Sequence, residues 1–218
     1  MEHVSEEKDL GVIIDSDLKF EEHIARKIRT ANALVGQMRR SFSFLDCDTF
    51  KRIYNAFIRL HLEYGEAVWS PHLSRNIDAL ENVQVRATKI VDGISKLSYS
   101  ERLERLDLPT LVYRRKRGDI IELYKHFHRY DESILAPSFQ PKDRPSRKHR
   151  FQLHLPPAKD GKNGAQSNFF FQRTTKIWND LHKHVEAHDV NEFKKRLDEA
   201  WCHHPLKFNH KAREVEED

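Results

Sequence analysis

At 218 residues with 38% hydrophobic and 33% charged side chains, the chain is polar for a globular protein, yet too rich in Phe, Leu and Ile for disorder throughout. Lys and Arg number 38 against 34 acids, and the resulting net charge of +4 does not by itself mark a nucleic-acid binder. Two cysteines exclude a disulfide framework, and the acidic start MEHVSEEKDL, with no apolar window of roughly 18 residues, predicts neither signal peptide nor membrane span. An intracellular protein of nucleus or cytoplasm, with no membrane partner, is the expectation.

In chain order, the β-branched run Leu10–Ile14 predicts a short strand. No neighbouring segment shows a matching pattern. The strand is therefore expected to belong to a sheet this chain lacks, or to pair with a distant short strand. A helix follows from Phe20 or Glu21 to about Arg40, with Ile24, Ile28, Ala31, Leu34, Val35 and Met38 inward and Arg39 and Arg40 at its negative end.

The stretch from Asp46 to Ser70 holds the longest helical periodicity. Phe50, Ile53, Tyr54, Phe57, Ile58, His61, Leu62, Tyr64 and Val68 fall on one predicted face, with Asp46 or Asp48 as cap. Gly65 either admits another backbone or ends the helix. A third helix from about Ser74 to Val91 turns Ile77, Leu80, Val83, Ala87 and Ile90 inward and ends near Gly93. Short connections between these three predict an antiparallel bundle.

Ser98 and Glu101 form a predicted capping box for a helix to about Leu106, and Pro109 suits the start of a long helix to about Tyr130. On it Leu111, Gly118, Ile121, Tyr124 and Phe127 share a side. Prolines and glycines break regular structure from about 131 to 166, apart from the alternating run Arg150–Leu155. Two amphipathic helices close the chain, one from Asn168 carrying Phe170, Ile177, Trp178 and Leu181, the other from Asn191 carrying Phe193, Leu197 and Trp201. The tail from Cys202 is polar and expected to fray. The fold class is thus mainly α. Its expected divisions are a link over 1–18, a three-helix bundle over 19–93, a second helical unit over 94–130, a basic connector over 131–167, a helix pair over 168–202 and a polar tail over 203–218.

Several segments, LGVIIDSDLKFEEHI, LHLEYGEAVWSP, IDALENVQVRATKIV, LSYSERLERLDLPTLVYRRKRGDIIELYK, FFFQRTTKIWNDL and FKKRLDEAW, occur in one order across roughly residues 4 to 201. In that order and spacing the chain resembles the carboxy-terminal thumb, connector and tail of LINE-type (non-LTR) retrotransposon reverse transcriptases, jockey-like in character. The resemblance implies an RNA-directed DNA polymerase as parent, with the thumb gripping template and primer. The magnesium of such a polymerase belongs to the palm, which has no recognisable counterpart here, so no cofactor and no polymerisation by this chain alone are expected. Leu60, Val85 and His182 depart from the residues usual in that family.

Asp15 and Asp17 after a strand mimic metal-binding carboxylates only superficially, and a turn or capping role suits them better. Cys202, His203, His204 and His210, with His184 and His188 at HxxxH spacing, lack the paired cysteines or core that a zinc site needs, so neither catalytic nor metal residues are expected. The remaining signal is cationic. Arg114, Arg115, Lys116 and Arg117 run unbroken along the long helix, while KDRPSRKHR carries Lys142, Arg144, Arg147, Lys148 and Arg150. These residues, Lys116 excepted, are the candidate contacts to the phosphate backbone of RNA or DNA. The bland reading of the first run is a solvated helix face or ion pairs to acids such as Glu101 or Glu104. The competing functional readings are a helical protein-interaction module, including self-association through exposed apolar faces, and a degenerate transposon remnant.

Overall fold

The computed structural model describes residues 6–129, 140–141, 153–154, 168–181, 185 and 187–212. The first elements form a hairpin, β1 (Glu6–Asp9) antiparallel to β2 (Val12–Asp15), with Glu6 opposite Asp15 and Asp9 opposite Val12. This corrects the expectation of a strand whose partner is absent or distant. The partner is the adjacent EEKD, fully exposed and without strand-forming residues, so no periodicity announced it. The turn creates it: Leu10 and Gly11 both have positive φ, 44° and 86°, the combination that turns a chain back in two residues. Leu10 is strained there, and the Tyr64 hydroxyl donates to its carbonyl at 3.0 Å.

Helix α1 (Glu21–Ser41) buries His23, Ile24, Ala31, Val35 and Met38, with Ile28 and Leu34 partly covered. Asp15 prepares its start, its carboxylate accepting from the N–H groups of Asp17, Lys19 and Phe20. The long helix predicted next is broken into α2 (Cys47–Ile53), a π-helical turn (Tyr54–Ile58), α3 (Arg59–Glu63) and α4 (Glu66–Trp69). Asp46 caps α2 by accepting from the N–H groups of Asp48 and Thr49. The wider π turn makes a strict i+4 series, Phe50, Tyr54, Ile58 and Leu62, the buried line. Phe57, Tyr64 and Val68, expected inside on a 3.6-residue repeat, are exposed. Gly65, at φ 68°, separates α3 from α4, and a Cβ there would meet Val12 at 3.4 Å, so this glycine serves both turn and close approach.

Helix α5 (Ser74–Thr88) runs in the same direction as α1, because Arg75 at its start pairs with Glu21 at the start of α1, and the central segment returns between them. Helix α6 (Tyr99–Leu106) has the full capping box of Ser98 and Glu101. Its Leu103 and Leu106, with Leu108 and Leu111, join the same apolar core as Ile24, Phe50 and Leu80. The chain forms two compact units, 1–115 with 205–218, and 116–204. Residues 205–212, read from sequence as frayed, lie against the first unit: Thr110 donates its N–H to Lys207 O at 2.9 Å and its hydroxyl to Leu206 O at 2.6 Å.

A polar chain crosses that core. The Tyr54 hydroxyl donates to Gln84 Oε1 (2.6 Å), Gln84 Nε2 donates to the Tyr99 hydroxyl (3.1 Å) and Pro109 O (3.0 Å), and Tyr99 donates to Glu81 Oε1 (2.5 Å). Glu81 in turn accepts from the N–H of Leu111, the first residue of α7 (Leu111–Arg129). Buried Arg102 donates to Thr88 Oγ1 and the carbonyls of Val85 and Leu97, so the carboxyl end of α5 balances its charge.

In the second unit Tyr124 stacks on Phe193 with centroids 4.1 Å apart, and Trp178 lies beside it. These come from α7, α9 (Val190–Ala200) and α8 (Phe170–Asp180). The run near Arg150–Leu155 supplies β4 (Leu153–His154), antiparallel to β3 (Gln140–Pro141), and Asn179 holds Leu153 through both its N–H and C=O. Asp119 and Arg173 form a bidentate pair at 2.9 Å. The side chain of Phe127 lies outside the described residues.

Two predictions follow from this core. Replacing Tyr54→Phe leaves Gln84 Oε1 buried without its donor, and a loss of about 1–3 kcal/mol is expected in urea unfolding. His23 is buried against Trp69 and accepts from Ile13 N–H, and burial, then Lys27 and Arg26, lower its pKa from 6.5 to about 4. The unfolded chain binds that proton more readily, so the stability contributed is complete above pH 6.5 and is lost as pH falls toward 4. Urea midpoints measured across that window should fall for the natural chain and fall less for His23→Gln.

Candidate nucleic-acid interface

The cationic run on α7 is turned inward. Arg114 clasps Glu63 of α3 through Nε and Nη2, the latter at 3.0 Å, and Arg59 adds a 3.6 Å contact to the same carboxylate. Arg117 clasps Asp198 of α9 at 2.6 and 2.8 Å. Arg115 is only 5% exposed, and its charge acts on Glu81, whose pKa burial raises. Lys116 is half-buried. Arg114 and Arg117 are thus engaged by Glu63 and Asp198 rather than by Glu101 or Glu104. A phosphate reaching Arg114 or Arg117 must displace a carboxylate already held by two hydrogen bonds. Lys142, Arg144, Arg147, Lys148 and Arg150 lie outside the described residues.

A different cationic surface emerges at one end of the bundle. Because α1 and α5 are parallel, both present their carboxyl ends there, bringing exposed Arg39 and Arg40 to the same end as exposed Arg86 and Lys89. The turn after α1 is tied to the segment after α5 by two hydrogen bonds, Leu45 N–H to the Asp92 carboxylate at 2.6 Å and Asp92 N–H to Leu45 O at 3.0 Å. That tie joins the loop carrying exposed Phe42 and Phe44, the latter 69% exposed, to the segment carrying exposed Lys96. Among the described residues none of these five cations forms an ion pair. Two helix carboxyl ends favour positive charge, and this accounts for part of the clustering. The exposed rings are not accounted for in that way. Phosphate-neutralising charge around stackable aromatics is the chemistry a nucleic-acid strand requires. In sequence Arg39 and Arg40 read only as charge suited to the negative end of α1, and no local pattern gathers them with Arg86, Lys89 or Lys96.

Asp17 pairs with Lys19 at 2.9 Å, while the Asp15 carboxylate is occupied by the N–H groups of Asp17, Lys19 and Phe20 in the turn before α1. Among the described residues no group of three or more His, Cys, Asp or Glu could hold a metal ion. His210 lies edge-on to Tyr99 at 5.8 Å and 3.7 Å from Asp78, a packing role. No described helix is long and apolar enough to cross a membrane.

Comparison with known proteins leaves the family open. No family model matches the chain, and no solved structure matches it. The uncharacterized protein B0403.1 of Caenorhabditis elegans is 25% identical over 123 residues, 55% of this chain and 60% of that protein. The chain therefore spans about 60% of that relative's length.

The ion pairs differ in weight. Glu63→Gln should cost about 1.5–3 kcal/mol, because it strips a partly buried guanidinium of its charged partner. Asp198→Asn should cost below about 1 kcal/mol, since the Asp198 side chain is half exposed. Thermal unfolding of the two variants side by side checks that order.

Proposed function

We propose that the chain is a noncatalytic carboxy-terminal module of a LINE-type reverse transcriptase that contacts nucleic-acid backbone. The ordered motifs from LGVIIDSDLKFEEHI to FKKRLDEAW support the family origin. The nucleic-acid contact rests on one observation, exposed Arg39, Arg40, Arg86, Lys89 and Lys96, without an ion pair among the described residues, at the bundle end that also carries exposed Phe42 and Phe44. The segment KDRPSRKHR supplies five more cations by sequence alone. On this reading Arg114, Arg115 and Arg117 hold the fold together and leave phosphate to these other groups. The module works inside the cell and needs no cofactor of its own. A second reading, protein docking, is favoured by the exposed apolar residues of α3 and is taken up below.

Fluorescence anisotropy with a labelled single-stranded oligonucleotide, repeated over a salt series, tests the proposal. Arg39→Gln/Arg40→Gln/Lys89→Gln should weaken binding and flatten the log–log salt slope by up to ~0.7 per lost phosphate contact. Arg147→Gln/Lys148→Gln/Arg150→Gln should act independently and in the same direction. Slopes unchanged in both variants dismiss the nucleic-acid reading.

A further inference from the structure

The ridge left outside by the π turn belongs to neither the core nor the cationic end of the bundle. Phe57, Leu60 and Tyr64 are 61, 62 and 54% exposed. Leu60 and Tyr64 follow each other on one helical face, the Tyr64 N–H donating to Leu60 O at 3.1 Å, and Phe57 stands one turn before Leu60. The Tyr64 hydroxyl reaches the hairpin turn at Leu10 O, which brings exposed Leu10 alongside the ridge. Single exposed apolar residues are ordinary; a run of them on one face marks a place where something binds.

The border of the ridge says what. Lys27 Nζ lies 5.1 Å from the centre of the Tyr64 ring. Burial lowers its pKa, and the charges of Arg26 and Lys8 lower it further, so both act on Lys27 as like-charged neighbours. Among the described residues none of the three is in an ion pair. On α3 itself the carboxylate of Glu63 is committed to Arg114 and Arg59. The exposed Glu6, Glu7 and Asp9 of the hairpin, on the same strand as Lys8, make no ion pair with these cations among the described residues, and α3 of a second copy has no free carboxylate to add. Carboxylates brought by a different molecule relieve their repulsion.

We propose that the ridge of Leu10, Phe57, Leu60 and Tyr64 docks an acidic amphipathic helix of a partner protein. Its apolar stripe packs against the ridge, and its carboxylates meet Lys8, Arg26 and Lys27. A ridge with i, i+3 and i+7 spacing is the natural complement of the groove on a second helix.

The test is fluorescence anisotropy of the full chain with a labelled, designed helical peptide carrying leucines at i, i+3, i+4 and i+7 and glutamates on the flanks. A twin peptide with lysines for the glutamates is the control. Saturable binding of the acidic peptide alone is expected. Phe57→Ser/Leu60→Ser should weaken it by about tenfold or more, as loss of central apolar anchors does. Arg26→Gln/Lys27→Gln should weaken it and remove most of its salt dependence. Both variants should melt like the natural chain and keep its oligonucleotide binding, which separates this proposal from the one above. Three results overturn it: no saturable binding, or equal binding of the lysine peptide; a doubled mass in light scattering that Phe57→Ser/Leu60→Ser reverses, which makes a second copy the occupant; or loss of oligonucleotide rather than peptide binding in Arg26→Gln/Lys27→Gln.

Discussion

A buried carboxylate can stay in a protein interior only if its hydrogen-bonding capacity is filled, and Glu81 meets that demand from three directions. It accepts from the Tyr99 hydroxyl and from the N–H of Leu111, and it feels the charge of Arg115. Through Tyr99 and Gln84 the same chain of bonds reaches Tyr54 in the middle of the π turn. Four segments far apart in sequence are thereby held in one register. An apolar core of the same volume tolerates sliding of its elements; a filled polar network does not.

The π turn has consequences on both sides of the helix that contains it. Inward, it keeps Phe50, Tyr54, Ile58 and Leu62 in line, so the Tyr54 hydroxyl arrives at Gln84. Outward, it rotates Phe57 away from the core and sets it with Leu60 and Tyr64. One extra residue per turn thus supplies a core contact and an external ridge together. The hairpin adds to both, Val12 closing over Gly65 and Leu10 standing next to Tyr64.

Charge in this chain divides by what tertiary structure does with it. Arg114 and Arg117 look, in sequence, like the strongest phosphate contacts, and each is clasped by a carboxylate 51 or 81 residues away. Arg102 is buried without a carboxylate partner among the described residues and rests on the carbonyl end of α5. Arg39, Arg40, Lys89 and the cations beside Tyr64 are less conspicuous in the sequence. They remain available because no acid folds onto them among the described residues.

What the sequence by itself determined is what short-range forces control: the mainly helical class, a cap at Asp46 or Asp48, the Ser98 and Glu101 box, a special role for Gly65 as helix end or close approach, and most of the inward faces of α1 and α5. Each depends on hydrogen bonds or periodicity within a few residues. Only the tertiary structure decided that EEKD is a strand, that Phe57 and Tyr64 face outward, that residues 205–212 return to the first unit, and which arginines are free. Those outcomes turn on a two-residue backbone turn, a single π turn and partners dozens of residues away. No local pattern encodes a carboxylate that must first be folded into place.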